Sequence, residues 1–121
     1  MLYGYIPGLS QKSYEYRRGD STVIYDDKKN AILIDGGESD LWAKMRAFLE
    51  KNGIKHVTCV LSHWHPDHDC GLRYALESSY VIVDKIYCQP ISELLTIQDG
   101  KSDYNRASGI ISLAKRLGKT I

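Results

Sequence analysis

Three of the chain's four histidines and one carboxylate fall within six positions, in Ser62-His63-Trp64-His65-Pro66-Asp67-His68. The apolar run Cys59-Val60-Leu61 leads into them, and Gly71 closes the stretch. Core packing does not call for such a cluster, whereas metal binding does. If Val57–Leu61 is a buried strand, residues 63 to 68 form the loop leaving its C-terminal end, where α/β sheets gather ligands. The alternate positions His63 and His65 project the same way from an extended segment, and Asp67 and His68 follow after Pro66 has bent the path. One ion is then expected on the imidazoles of His63 and His65, and a second on Asp67 and His68. Neutral imidazole with carboxylate suits Zn2+, with Mn2+ or Fe2+ as alternatives.

His63-x-His65-x-Asp67-His68 resembles the HxHxDH motif of the metallo-β-lactamase superfamily, and two upstream segments add to the match. Ala31-Ile32-Leu33-Ile34-Asp35-Gly36-Gly37 is similar to the strand ending in Asp-Gly that precedes the motif in that family. Gly19-Asp20-Ser21-Thr22-Val23-Ile24 is similar to a segment of one branch, the hydrolase domains of bacterial DNA-uptake (competence) proteins and their phage relatives. The likeness covers residues 14 to 90. It implies an αββα sandwich and a metal-dependent hydrolase, with Asp67 both a ligand and the catalytic residue that orients the nucleophile or passes its proton on. Asp35, followed by two glycines that let backbone approach closely, is placed to orient a ligating histidine from behind. Family members carry further histidine and aspartate ligands in their second half, and no histidine follows His68 here.

The elements that must position these residues are legible in the periodicity. Met1–Ile6 reads as a strand ended by Pro7-Gly8, and Ser13–Tyr16 as a second edge segment. Thr22–Tyr25 and Ala31–Ile34 are β-branched runs joined by a charged loop ending in Asn30, a hairpin expected to put Asp20 and Asp35 near opposite ends of neighbouring strands. Ser39–Asn52 has a helical period, with Leu41, Met45, Phe48 and Leu49 on one stripe widened by Trp42 and Ala43, Ser39 as N-cap and Gly53 at C′. After the motif, Leu72–Glu77 predicts a turn or two of helix that Gly71 lets start close to the loop. A strand contains Ile86 and Tyr87 with Asp84 at its start, and Ile91–Ile97 is a short helix. A polar loop, Gln98–Asp103, then leads to a helix capped by Ser102 or Asp103 and running to Leu117, with Ala107, Ile110, Ile111, Ala114 and Leu117 buried. Gly118–Ile121 begins another strand. His56 is expected to be an ordinary residue at the start of a strand, Asp84 a lone structural carboxylate, and Cys70 no ligand.

Composition bounds the function. At 121 residues and 13.7 kDa the chain is one domain or part of one, enough to bury about two-thirds of its extended surface. A net charge of +1 provides no basic or acidic field that would select nucleic acid, membrane or acidic partners. Three cysteines, two in apolar runs, fit buried thiols in a reducing cytoplasm. No apolar run approaches the ~20 residues of a bilayer span, and no signal-peptide pattern opens the chain.

These readings make residues 1–121 a single partial domain, the N-terminal half of a metallo-β-lactamase fold: an α/β layer with one mixed sheet and helices on one face. An uncovered apolar sheet face calls for a homodimer or for docking to a missing C-terminal half. Two imidazoles leave a tetrahedral zinc half coordinated, so affinity is expected to be weak. The function expected is hydrolysis of an ester or phosphodiester, with nucleic acid or nucleotide the favoured substrate class. The alternative is a non-catalytic half-domain that acts through folding or association.

Overall fold

A computed structural model describes residues 2–6, 21–37, 39–97 and 100–121, with backbone alone at 2–6, 39–40 and 66–67. The element order is β1 (Leu2–Ile6), β2 (Ser21–Tyr25), β3 (Ala31–Ile34), α1 (Ser39–Lys51), β4 (His56–Val60), α2 (Pro66–Glu77), β5 (Ile82–Tyr87), a 3₁₀ helix (Ile91–Thr96) and α3 (Lys101–Arg116). The expected edge segment at Ser13–Tyr16, and Asp20 with it, lie outside the described residues.

The strands form one sheet in the order β1-β2-β3-β4-β5. β1, β2 and β3 pair antiparallel, and β3, β4 and β5 pair parallel, so the mixed sheet expected from the sequence is present. Beyond β5, Thr120 bridges to Lys85 in parallel, the sixth strand start read at Gly118–Ile121. Val23, Leu33, Cys59 and Ile86 form one row across the sheet and Tyr25, Ala31, Val57 and Val83 another, and all eight are buried. Met45 and Leu49 of α1, Ala75 of α2 and Ala107, Ile110 and Ala114 of α3 close over the same rows in a single core. The opposite face presents Thr22, Ile24, Ile32, Ile34, Thr58 and Val60, and Ile32 is 42% exposed.

Several boundaries differ from the sequence reading for physical reasons. The helix after the motif begins at Pro66, not at Leu72, so Asp67 and His68 lie in its first turn. Proline is pre-organised for the first helical position, where its missing N–H costs nothing, so here it starts a helix rather than bending a loop. β5 takes in Asp84 as a bulge: Val57 faces Val83, but Thr58 faces Lys85. The extra residue resets the alternation, which keeps both Val83 and Ile86 inward. Asp84 is therefore neither at the strand start nor alone, since its carboxylate meets His56 Nδ1 at 3.0 and 3.2 Å. Ala43 is exposed, and so is Leu117, at 47%. The last helix starts at Lys101 with Gly100 at its N-cap, so Ser102 and Asp103 sit inside its first turn.

The hairpin loop is held as its composition suggested. Asp26 Oδ1 accepts the backbone N–H of Lys28 and of Asn30, each at 2.9 Å, and Lys29 takes a left-handed φ of 66°. The Asn30 side-chain amide, with these backbone bonds, holds the Asp26 carboxyl below its ordinary pKa.

Cys59 lies in the middle of the inner row. Burial there pushes its thiol up to about 12, so essentially none of it is thiolate at neutral pH. Iodoacetamide at pH 8 is accordingly expected to leave Cys59 unmodified in the native protein and to label it fully once guanidinium unfolds the chain. Peptide mass spectrometry checks this, and native labelling at Cys59 would contradict the core placement.

Candidate metal centre

The site forms where the parallel strands end. Asp35, one residue beyond β3, continues the ladder through its N–H to the Val60 carbonyl at 2.9 Å. It then turns out of it with a φ of 52°. That left-handed conformation is one that aspartate tolerates better than most residues, and the buried Ser21 hydroxyl holds it by donating to the Asp35 carbonyl at 3.0 Å.

The turn aims the carboxylate at the histidine segment. Asp35 Oδ1 accepts the Ser62 backbone N–H at 2.8 Å, and Oδ2 accepts the Ser62 hydroxyl at 2.7 Å. The same Oδ2 meets His68 Nδ1 at 2.9 Å, with the Asp35 side chain only 9% exposed. Ser62 Oγ in turn lies 3.0 Å from His63 Nδ1. One carboxylate thereby fixes His68 directly and His63 through a hydroxyl, with Nδ1 engaged in both rings, so that Nε2 is the nitrogen a metal would take.

Trp64 sets the alternation. Its indole is buried, and Nε1 donates to the Gln89 carbonyl at 2.9 Å, which leaves His63 and His65 on the exposed side. The His63 ring centroid lies 4.7 Å from that of His65 and 3.9 Å from that of His68. The three imidazoles expected from the sequence are thus brought together, and the Asp67 side chain lies outside the described residues. Among the described residues no three His, Cys, Asp or Glu side chains form a closed group ready to hold an ion. The donor chemistry fits a divalent metal ion, with the rings gathered and two of them oriented from behind but not splayed around a centre. His56 pairs with Asp84 at the opposite end of β4, away from the other three imidazoles.

Backbone contact brings α2 and the β3–α1 turn together. Gly36 N–H donates to the His68 carbonyl at 3.3 Å. A Cβ on Gly36 would fall 2.5 Å from Gly71 Cα, and one on Gly71 would strike the Gly36 backbone in the same way. Gly71 therefore lies inside the helix and serves the approach of two backbones, not the start of the helix. The sequence reading missed Asp69 and Arg106, whose ion pair spans 37 positions. Nothing local marks such a pair.

With this geometry in place, the family match has a structural counterpart. Residues 15–90, more than half of the chain, match the model of the Metallo-beta-lactamase superfamily. The chain belongs to that superfamily. It is 32% identical over 78 residues to an uncharacterized protein of Methanocaldococcus jannaschii, covering 63% of this chain and 29% of that one. To an atrochrysone carboxyl ACP thioesterase of Pseudocercospora fijiensis it is 30% identical over 87 residues, 69% of this chain and 26% of the relative. Among solved structures it resembles the BLEG-1 B3 metallo-beta-lactamase with a TM-score of 0.52 at 20% identity, over 68% of this chain and 35% of that one. The chain thus spans under a third of the length of the curated relatives it matches. Among the described residues no helix is long and apolar enough to cross a membrane.

Asp35 offers a direct check on the site. Asp35→Ala removes three acceptor contacts at once, and losing such outer partners typically lowers metal affinity by about 10–100-fold. A drop of that size in zinc affinity by calorimetry is expected, and an unchanged affinity would show that the carboxylate does not orient the histidines.

Proposed function

We propose that this chain carries the metal-binding half of a hydrolase acting on an ester-class bond, with zinc the favoured ion and manganese or iron as alternatives. The observation that carries the proposal is the convergence of His63, His65 and His68 on the Asp35–Ser62 network at the strand ends. In this reading His63 and His65 hold one ion and Asp67 and His68 the other. A bound divalent ion supplies Lewis acidity, which polarises a carbonyl or phosphoryl oxygen and lowers the pKa of water toward about 7. Asp35 keeps the His68 proton on Nδ1, Ser62 orients His63, and Asp67 orients the attacking water or takes its proton.

The segment at residues 19–24 and the HxHxDH spacing resemble the DNA-uptake branch, which favours a phosphodiester in nucleic acid or a nucleotide. The fungal relative's name adds a thioester as the competing substrate class. Turnover of bis-p-nitrophenyl phosphate with added Zn2+ or Mn2+, abolished by EDTA and restored by metal, is the expected result. Turnover of an acyl thioester alone would move the substrate class. Absence of turnover on both, together with absence of stoichiometric metal, would leave the second reading, a half-domain that acts by association. The β-branched sheet face opposite the helices favours that second reading, because a second copy or a complementary half would dock over Ile24, Ile32, Ile34 and Val60. Localisation in the cytoplasm belongs to the same proposal, supported by three cysteines with no disulfide among the described residues.

A further inference from the structure

Asp69 follows His68 in α2 and has a side chain with 0% exposure. A fully buried carboxylate persists only where it is paired and hydrogen-bonded. Arg106 of α3 provides both, with Nε donating to Oδ1 at 2.8 Å and Nη2 to Oδ2 at 2.7 Å, a two-pronged geometry that lysine cannot reproduce. The same Nη2 lies 3.0 Å from Asp103 Oδ1 and 3.5 Å from the Trp64 carbonyl. Burial pushes the Asp69 carboxyl up while Arg106 opposes it, and the bond to Asp69 raises the arginine's own pKa.

The place of this pair matters more than its strength. The Asp69 N–H closes the first turn of α2 on the His65 carbonyl at 2.8 Å, beside the His68 N–H on the same oxygen at 2.8 Å. Trp64 lies between His63 and His65. Arg106 therefore reaches the segment at both ends, at the turn that carries His68 and at the residue that separates the other two imidazoles. Merely filling the core would not need an ion pair there, because apolar side chains of the same volume often do as well or better.

We infer that Arg106, acting through Asp69, is a positioning residue that holds His63, His65 and His68 in the register a metal needs. The inference rests on the metal reading above and extends it to a residue on a separate helix. Neither Asp69 nor Arg106 is placed as a ligand, and neither touches substrate.

The test uses the full chain with Arg106→Met, Arg106→Lys and the double change Asp69→Leu/Arg106→Met, which removes the buried charges as a pair. Three quantities are read: thermal midpoint, hydrogen exchange of the His65, His68 and Asp69 amides without metal, and zinc affinity by calorimetry. The double variant is expected to keep a midpoint near wild type, since replacing a buried pair by apolar groups is often neutral. Its three amides nevertheless exchange at least about tenfold faster, and its zinc affinity falls about 10–100-fold, the range for lost outer partners. A double variant that matches wild type in exchange at these amides overturns the inference. Should that variant not fold, Arg106→Lys carries the test: it keeps the charge without the fork, and wild-type exchange at the three amides overturns the inference equally. Wild-type protein that takes up no zinc would defeat the metal reading alone, because the exchange measurement still decides whether Arg106 orders the histidine segment.

Discussion

Changing His63 and His65 together to alanine is expected to lower zinc affinity at least 100-fold, about 2.7 kcal/mol, and to remove metal-dependent turnover. The two imidazoles come from alternate residues on either side of the buried Trp64, so they face the same side of the segment. Losing both strips the first ion of all the protein ligands assigned to it. Alanine at these exposed positions disturbs no core contact, so the melting temperature of the metal-free protein should move little, within the ±0.5 kcal/mol usual for surface changes. His56→Ala is the matched control. It also removes an imidazole beside a carboxylate, but at the opposite end of β4. Equal losses from the two variants would mean that zinc binds histidine indiscriminately and not at the proposed centre.

Gly71→Ala is expected to damage the fold severely. Helix propensity alone predicts the reverse, since alanine is favoured over glycine inside a helix by about 1 kcal/mol. Sterics decide the outcome. The new methyl would meet the Cα and carbonyl carbon of Gly36, and backbone cannot rotate aside as a side chain can. Overpacking of this kind costs about 1–3 kcal/mol or more, and here it also forces α2 away from the turn that presents Asp35. Urea denaturation should therefore show a net loss of about 2 kcal/mol or an unfolded protein, with weakened zinc binding in whatever remains folded. A gain in stability would show that the two backbones are not in contact.

Much of the architecture was legible in the residues. The β-branched runs Thr22–Tyr25 and Ala31–Ile34 and the apolar run Val57–Leu61 marked three of the strands, and the spacing of Leu41, Met45 and Leu49 marked the first helix, because side-chain period follows directly from backbone geometry. The histidine cluster was legible from spacing alone. What escaped was set by tertiary contact. Proline at position 66 carries the same local signal whether it bends a loop or opens a helix, and the helix won because residues 66–77 could pack against α1 and α3. Asp84 looked like a strand start, since a bulge is visible only once the partner strand fixes the register. The Asp69–Arg106 pair joins two helices across 37 positions and leaves no trace in either neighbourhood. Leu117 read as buried from the period of its helix, but α3 ends at Arg116 and the period no longer governs where it points.

The most direct measurement is anomalous diffraction at the zinc edge from crystals grown with zinc. A peak is expected about 2.0–2.1 Å from imidazole nitrogens of His63 and His65, with His68 still bonded through Nδ1 to Asp35. Crystals saturated with zinc that show no peak at these histidines, or a peak only at His56 and Asp84, would contradict it.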